Sequence, residues 1–313
     1  MAAKYINPFT DFGFKKLFGE EASKYLLIDF LNQMLPSEHQ IESLVFKNNE
    51  QLGHASFERK AIYDLYCENQ KGEKFIVELQ KSKHVYFKDR TVYYATFPIQ
   101  EQAQKGDWNY RLEAIYCIGI LDFVFHEDKN RQEYYHTVKL KDQNNQIFYD
   151  KLTFIYIEMP NFNKTEQEIT THFDKWLYFL KHLEDIEQIP NILKEQPFEQ
   201  AFNKAAMANM NPDEITRYQG NLKTYRDLKG VVETAHMEGL EEGRLAGKLE
   251  GLEEGLLAGE LKGKLEGRRE GKLEGRLEGR LEGKLEIARA LQKTNMPLET
   301  ILELTGLSAD DLK

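Results

Sequence analysis

"AIYDLYCENQKGEKFIVELQKS", residues 61–82, reads as two strand-forming halves around Gln70-Lys71-Gly72. Gly72 stands where a short hairpin loop requires a positive φ, so Asn69 is expected to face Glu73 across the turn. That register places Asp64 opposite Glu78 and Ile62 opposite Gln80. Strand alternation then gives one face Ala61, Tyr63, Leu65 and Cys67 against Phe75, Val77 and Leu79, an apolar surface fit for a core. The other face sets two carboxylates across from each other among Ile62, Tyr66 and Ile76, a half-buried setting. Like charges directly opposite weaken a sheet by up to roughly 1 kcal/mol, and carboxylates taken out of water demand partners. Either that face is solvated, as acidic hairpins often are, or something positive lies between the acids. A divalent cation resolves the conflict, and oxygen-only ligation suits Mg2+ or Mn2+ better than zinc.

Outward from the hairpin, helical and strand patterns alternate. "EEASKYLLIDFLNQML" carries Leu27, Phe30, Leu31 and Met34 at helical spacing, whereas "RLEAIYCIGILDFVF" and "DKLTFIYIEM" are rich in β-branched and aromatic residues. Residues 1–162 are therefore expected to form a mixed α/β domain. From 163 to 235 the text turns helical, with apolar residues every three to four positions between Pro190, Pro197 and Pro212. An accessory helical region is expected there. In residues 236–286 glycine recurs at every fourth position from Gly239 to Gly283, a short-period repeat.

Composition limits the function classes. Against 42 Lys+Arg stand 52 Asp+Glu, a net charge of −10, so no general basic field advertises nucleic-acid or membrane binding, and any DNA contact must be local. The two cysteines, Cys67 and Cys117, sit among apolar residues, as small buried hydrophobes do in a reducing compartment; cytoplasm is the simple reading. The opening "MAAKYINPFTDFGFKK" has no apolar signal core, and no run approaches the roughly 18 apolar residues of a membrane helix. Histidines lack ligand spacing, and neither a Ser-His-Asp set nor a phosphate-cradling loop is present.

An acid on one strand followed by Glu-x-Gln on the next resembles the PD-(D/E)XK nuclease superfamily. Within it, the chain is similar to the Rpn family of recombination-promoting nucleases and transposase-like proteins. Besides Asp64 and "VELQ", the resemblance rests on "DFGFKKLFG", "DRTVYYAT", "YCIGILDFVF", "TFIYIEMPNF", "DKWLYFLK" and "AHMEGLEEG", in that order. It implies a restriction-endonuclease-like α/β fold, a mixed sheet flanked by helices. It also implies a metal-dependent DNA endonuclease, acting in recombination, mobile-element movement or defence. Asp64 and Glu78 carry over as ligands of Mg2+ (or Mn2+), with the backbone carbonyl of Leu79 completing the inner shell, and the ion activates water for phosphodiester hydrolysis. Gln80 stands where Lys is common in the superfamily. An amide can orient a water or a phosphate oxygen but brings no charge, so that charge must come from elsewhere. Lys81, next along, is expected on the opposite face unless the strand ends there. The alternative is a partner-binding or regulatory protein on a catalytically weakened nuclease fold, favoured by the acidic balance and the missing lysine.

Two further residues are candidate site neighbours. Asp11, in "TDFGFKKLF", could approach the metal from the first helix or cap that helix. Arg90 lies on a stripe with Tyr86, Tyr93 and Phe97, beside Tyr94; aromatics at that spacing are expected to be core, and the Arg90 charge wants a site carboxylate or a DNA phosphate.

On a helix, a period of four puts Gly, Lys/Arg, Leu and Glu in separate rows that creep forward by about 40° per repeat. Twelve glycines cost roughly 12 kcal/mol relative to alanine in an isolated helix, and the i,i+4 neighbours along each charged row are like charges, as in Glu274 with Glu278 and Arg276 with Arg280. A right-handed helical homo-oligomer is expected, with close approach at the Gly rows and Lys/Arg meeting Glu between chains; disorder from repeat expansion is the alternative. Residues 287–313 resemble a truncated helix-turn-helix, with Pro297 opening a helix and "TGLS" making the turn. Their acidity points to a terminal helical cap rather than a DNA reader.

Overall fold

The computed structural model describes residues 3–51, 61–104, 106–124 and 132–312. Phe125, the last residue of "YCIGILDFVF", lies outside the described residues. The chain forms two compact units, Met1–Thr234 and Ala235–Lys313.

The first unit is built on the strands β1 (Leu44–Phe46), β4 (Leu65–Asn69), β5 (Lys74–Gln80), β6 (Ile115–Leu121), β7 (Tyr135–Lys141) and β8 (Ile147–Glu158). They form a six-stranded sheet in the order β1-β4-β5-β6-β8-β7. A separate two-stranded ladder pairs β2 (Glu50–Gln51) with β3 (Ala61–Ile62). The hairpin β4–β5 is antiparallel in the expected register, Leu65 facing Val77 and Glu68 facing Lys74, with Gly72 at φ +79° in the loop. The pairs β5–β6 and β6–β8 are parallel. Every residue of β6 is buried, as befits a central parallel strand covered on both faces.

The helices are α1 (Asp11–Phe18), α2 (Lys24–Asn32), α3 (Phe87–Glu101), α4 (His172–His182), α5 (Phe198–Ala205), α6 (Pro212–Gln292) and α7 (Leu298–Thr305). One sheet face packs Leu65, Cys67, Phe75, Val77 and Leu79 into a core with Phe14 and Phe18 of α1, Trp176 of α4 and Phe202 of α5. The helical stretch after residue 163 thus shares the core of the sheet rather than having one of its own. The opposite face is covered by α3, where Phe87 and Ala95 lie over Tyr66, Ile76, Cys117 and Tyr156. Both cysteines are buried and free.

Three expectations are corrected here. Ile62 does not face Gln80: the ladder stops at Leu65, and Ile62 pairs with Glu50 and is exposed. Ala61 and Tyr63 belong to the α3 side with Tyr66 and Ile76, not to the face of Leu65 and Cys67. The cause of both is a bend at Asp64, which breaks the alternation and hands residues before it to β2, with the Tyr63 N–H donating to the Asn49 carbonyl at 2.9 Å. The stripe on α3 is also turned. Tyr86 and Tyr93 are exposed, and Phe87, Ala95 and half-buried Arg90 and Tyr94 face inward.

In the second unit α6 carries the glycine repeat as helix, and its leucines from Leu240 to Leu281 are exposed. A small cluster of Ala288, Ile301 and Leu307 joins the end of α6 to α7, which stops at Gly306 in a left-handed conformation. Among the described residues no helix is long and apolar enough to cross a membrane.

Candidate functional site

The site grows from the point where β4 gives up its ladder. At Asp64 the side chain takes over a backbone role: its carboxylate accepts the Leu79 N–H at 2.7 Å, and its own N–H donates to Glu78 Oε1 at 3.3 Å. The two carboxylates are therefore locked into one corner by each other's strand. Backbone alternation adds the third donor. The Leu79 N–H points to Asp64, whereas the Gln80 carbonyl accepts from Asp122 on the β6 side at 2.9 Å. The Leu79 carbonyl thus leaves the strand on the Asp64 side, while its side chain is buried in the core.

The parallel neighbour of Glu78 must be small to accommodate the Tyr156 ring beside the site. That neighbour is Gly119 on β6, and a Cβ there would meet Tyr156 Cδ1 at 3.0 Å and Leu121 Cδ2 at 3.3 Å. A small cavity of about 20 Å³ bordered by Glu78, Arg90, Tyr94, Gly119 and Tyr156 lies between sheet and α3. Nothing in "YCIGIL" alone marks this glycine; only the parallel register reveals it.

Arg90 is brought to the site by α3. Its Nη2 donates to Gln80 Oε1, its guanidinium lies over the Tyr94 ring at 5.7 Å, and Tyr94 is fixed in turn by the Tyr63 hydroxyl donating to its carbonyl at 3.0 Å. Gln80 also donates from Nε2 to the Ser82 carbonyl at 3.2 Å, so its amide is fully oriented. The strand ends at Gln80, which frees Lys81 from the alternation, and its charge favours the ionised form of Asp64.

The electrostatics follow from burial. Glu78 is pushed up to about 8, first by desolvation and then by the Asp64 charge, with Arg90 opposing. Asp64 is raised as well, by desolvation and by Asp11, against the Leu79 N–H and the cations of Lys15 and Lys81. Burial disfavours the charged form of both carboxylates, a cost that a bound hard divalent cation relieves. The donor set of two carboxylates and a carbonyl fits such an ion. Among the described residues no third acidic, histidine or cysteine ligand joins them.

Asp11 is not the cap of α1. Thr10 caps α1, its Oγ1 accepting the Gly13 N–H at 2.9 Å, and Asp11 pairs with Lys15 at 2.9 Å on the first turn. Asp11 does share with Asp64 a cleft of about 400 Å³, bordered also by Lys15, Lys16, Lys47 and Arg217.

Over residues 8–235 the chain matches a family model described as PD-(D/E)XK nuclease family transposase, a range that takes in Asp11, Asp64, Glu78, Gln80 and Arg90. No curated protein and no solved structure matches it.

Proposed function

Because the chain belongs to the PD-(D/E)XK nuclease family transposases, we propose that it is a divalent-metal-dependent DNA endonuclease. It hydrolyses phosphodiester bonds in recombination, mobile-element movement or defence, in a cytoplasmic setting. The observation that carries this reading is the corner at Asp64 and Glu78, two half-buried carboxylates of which Glu78 accepts the Asp64 N–H and Asp64 accepts the Leu79 N–H. Asp64, Glu78 and the Leu79 carbonyl would hold Mg2+ or Mn2+, which when bound lowers the pKa of a coordinated water and offsets charge on the phosphate. Glu78, pushed up to about 8, keeps a proton near neutral pH, so occupancy of the site is coupled to release of that proton and strengthens as pH rises. Arg90 supplies the positive charge that Gln80 lacks, and Gln80 acts on it as the positioning residue through Oε1. Desolvation under α3 strengthens both effects.

The exposed leucines and open glycine rows of α6 support self-association of the tail with a second copy of the chain, so that paired sites address two strands or two DNA segments. A second reading, a partner-binding protein on a weakened nuclease fold, is favoured by Gln80 in place of lysine and by the net charge of −10. Nicking of supercoiled plasmid in Mg2+ or Mn2+ separates the two. Asp64→Ala and Glu78→Ala are each expected to lower the rate at least about 100-fold. Equal rates in all three proteins remove the site assignment, and an inactive wild type in both metals supports the second reading.

A further inference from the structure

The ten residues after β5, 81–90, carry Lys81, Lys83, Lys88 and Arg90 against one carboxylate, Asp89, in a chain whose net charge is −10. This is a local basic segment in an acidic protein. Both its ends adjoin the site: Lys81 directly follows Gln80 at the end of β5, and Arg90 is bonded to Gln80. Between them the backbone makes a turn, closed by the Phe87 N–H on the His84 carbonyl and the Arg90 N–H on the Tyr86 carbonyl, each at 3.0 Å.

The tip of that turn is apolar and held out in solvent. Val85 is 90% exposed, the most exposed large apolar side chain among the described residues, and Tyr86 is 74% exposed. Phe87 is 4% exposed and packs edge-on against Phe123 at 5.6 Å and Tyr156 at 5.5 Å. The tip is thus fastened by a buried aromatic immediately behind it. An aliphatic and an aromatic side chain flanked by cations match a ligand that is anionic along its backbone and apolar on its stacked faces.

Resting on the reading of DNA as substrate, we propose that residues 81–88 form a DNA-engaging wedge, with Lys83 on a backbone phosphate and Val85 and Tyr86 pressed into a duplex base step beside the carboxylate pair. The wedge loosens stacking at that step, so steps that unstack easily, pyrimidine followed by purine, are engaged best.

The test uses the full chain in EDTA, so that no cleavage occurs, and a duplex oligonucleotide carrying 2-aminopurine at a TA step. Affinity comes from fluorescence anisotropy across salt concentration, and unstacking from the 2-aminopurine emission. Lys83→Ala should weaken binding several-fold and flatten the log–log salt slope by about one. The double variant Val85→Ser, Tyr86→Ser should keep the slope, weaken binding and abolish the rise in emission. Lys141→Ala, an exposed lysine of β7, should match wild type, and circular dichroism confirms that each variant is folded. The proposal is overturned if the wedge variants bind as wild type does, if wild type leaves the emission unchanged, or if it prefers single-stranded RNA to the duplex. A wild type that binds through the wedge yet never nicks plasmid removes the nuclease reading and leaves the wedge. Nicking and binding unaltered in the wedge variants do the reverse.

Discussion

Glu78 carries a charge in a place that penalises it. Its carboxyl, pushed up to about 8 by burial and by Asp64, binds a proton in the folded chain at pH values where the unfolded chain has lost it. Stability is therefore fully present below the ordinary glutamate range and is lost as pH rises through about 8. Glu78→Gln, which removes that titration, is expected to raise Tm at pH 8.5 by at least about 2–4 °C, equivalent to roughly 1 kcal/mol. Differential scanning fluorimetry from pH 6 to 9 checks this: a wild type whose Tm follows that of the variant across the range contradicts it. Added Mn2+ should raise Tm of wild type more than that of Glu78→Gln. Beside Glu78, the Arg90 guanidinium is bonded to Gln80 and opposes the rise of the Glu78 carboxyl. Arg90→Ala should lower the nicking rate by about 10–100-fold with little change in DNA affinity, and Arg90→Lys should recover part of it. An Arg90→Ala enzyme as fast as wild type places that charge elsewhere. Sequence reading identified both acids and Arg90 as candidates. It did not identify the Gln80–Arg90 bond, because a contact between a strand and the following helix depends on how α3 is rotated, and the exposed Tyr86 and Tyr93 mimic an inward stripe.

The elements that frame the corner depend on close backbone approaches. On α1, a Cβ at Gly13 would lie 2.1 Å from the Asn7 carbonyl oxygen and 2.8 Å from Thr10 Oγ1, and Thr10 is the cap of that helix. Backbone has nowhere to yield, so Gly13→Ala should destabilise the protein by about 2–3 kcal/mol despite alanine's better helix propensity. Urea unfolding measures it, and a stabilised variant would show that α1 can shift. Since α1 presents Lys15 and Asp11 to the cleft shared with Asp64, a shift there should also weaken nicking. The strand break at Asp64 is the other framing element. Alternation reads "AIYDLYC" as one strand, and the register of its second half is indeed that of the hairpin. The first half differs because a carboxylate that satisfies the Leu79 N–H replaces a carbonyl, and periodicity carries no trace of such a substitution.

At the scale of the molecule, the unit Met1–Thr234 has one core on each face of its sheet, whereas α6 beyond it carries glycines whose would-be Cβ atoms meet nothing within 4 Å. In a lone helix, Gly263→Ala, Gly267→Ala and Gly271→Ala together should stabilise by about 3 kcal/mol. If the glycine rows are where a second copy approaches, the same triple variant should instead dissociate in analytical ultracentrifugation. A variant that stays associated and melts higher removes that contact. The sequence by itself determined the hairpin register, the acids at its end and the boundary where the glycine repeat begins, because turn chemistry, strand alternation and composition are local properties. Tertiary structure alone decided that both sheet faces are covered, that Asp64 bends the chain and ties itself to Leu79, that Gly119 makes space for the Tyr156 ring, and that Arg90 reaches Gln80. Each of those depends on atoms distant in sequence competing for the same few ångströms, which no single stretch of the chain specifies.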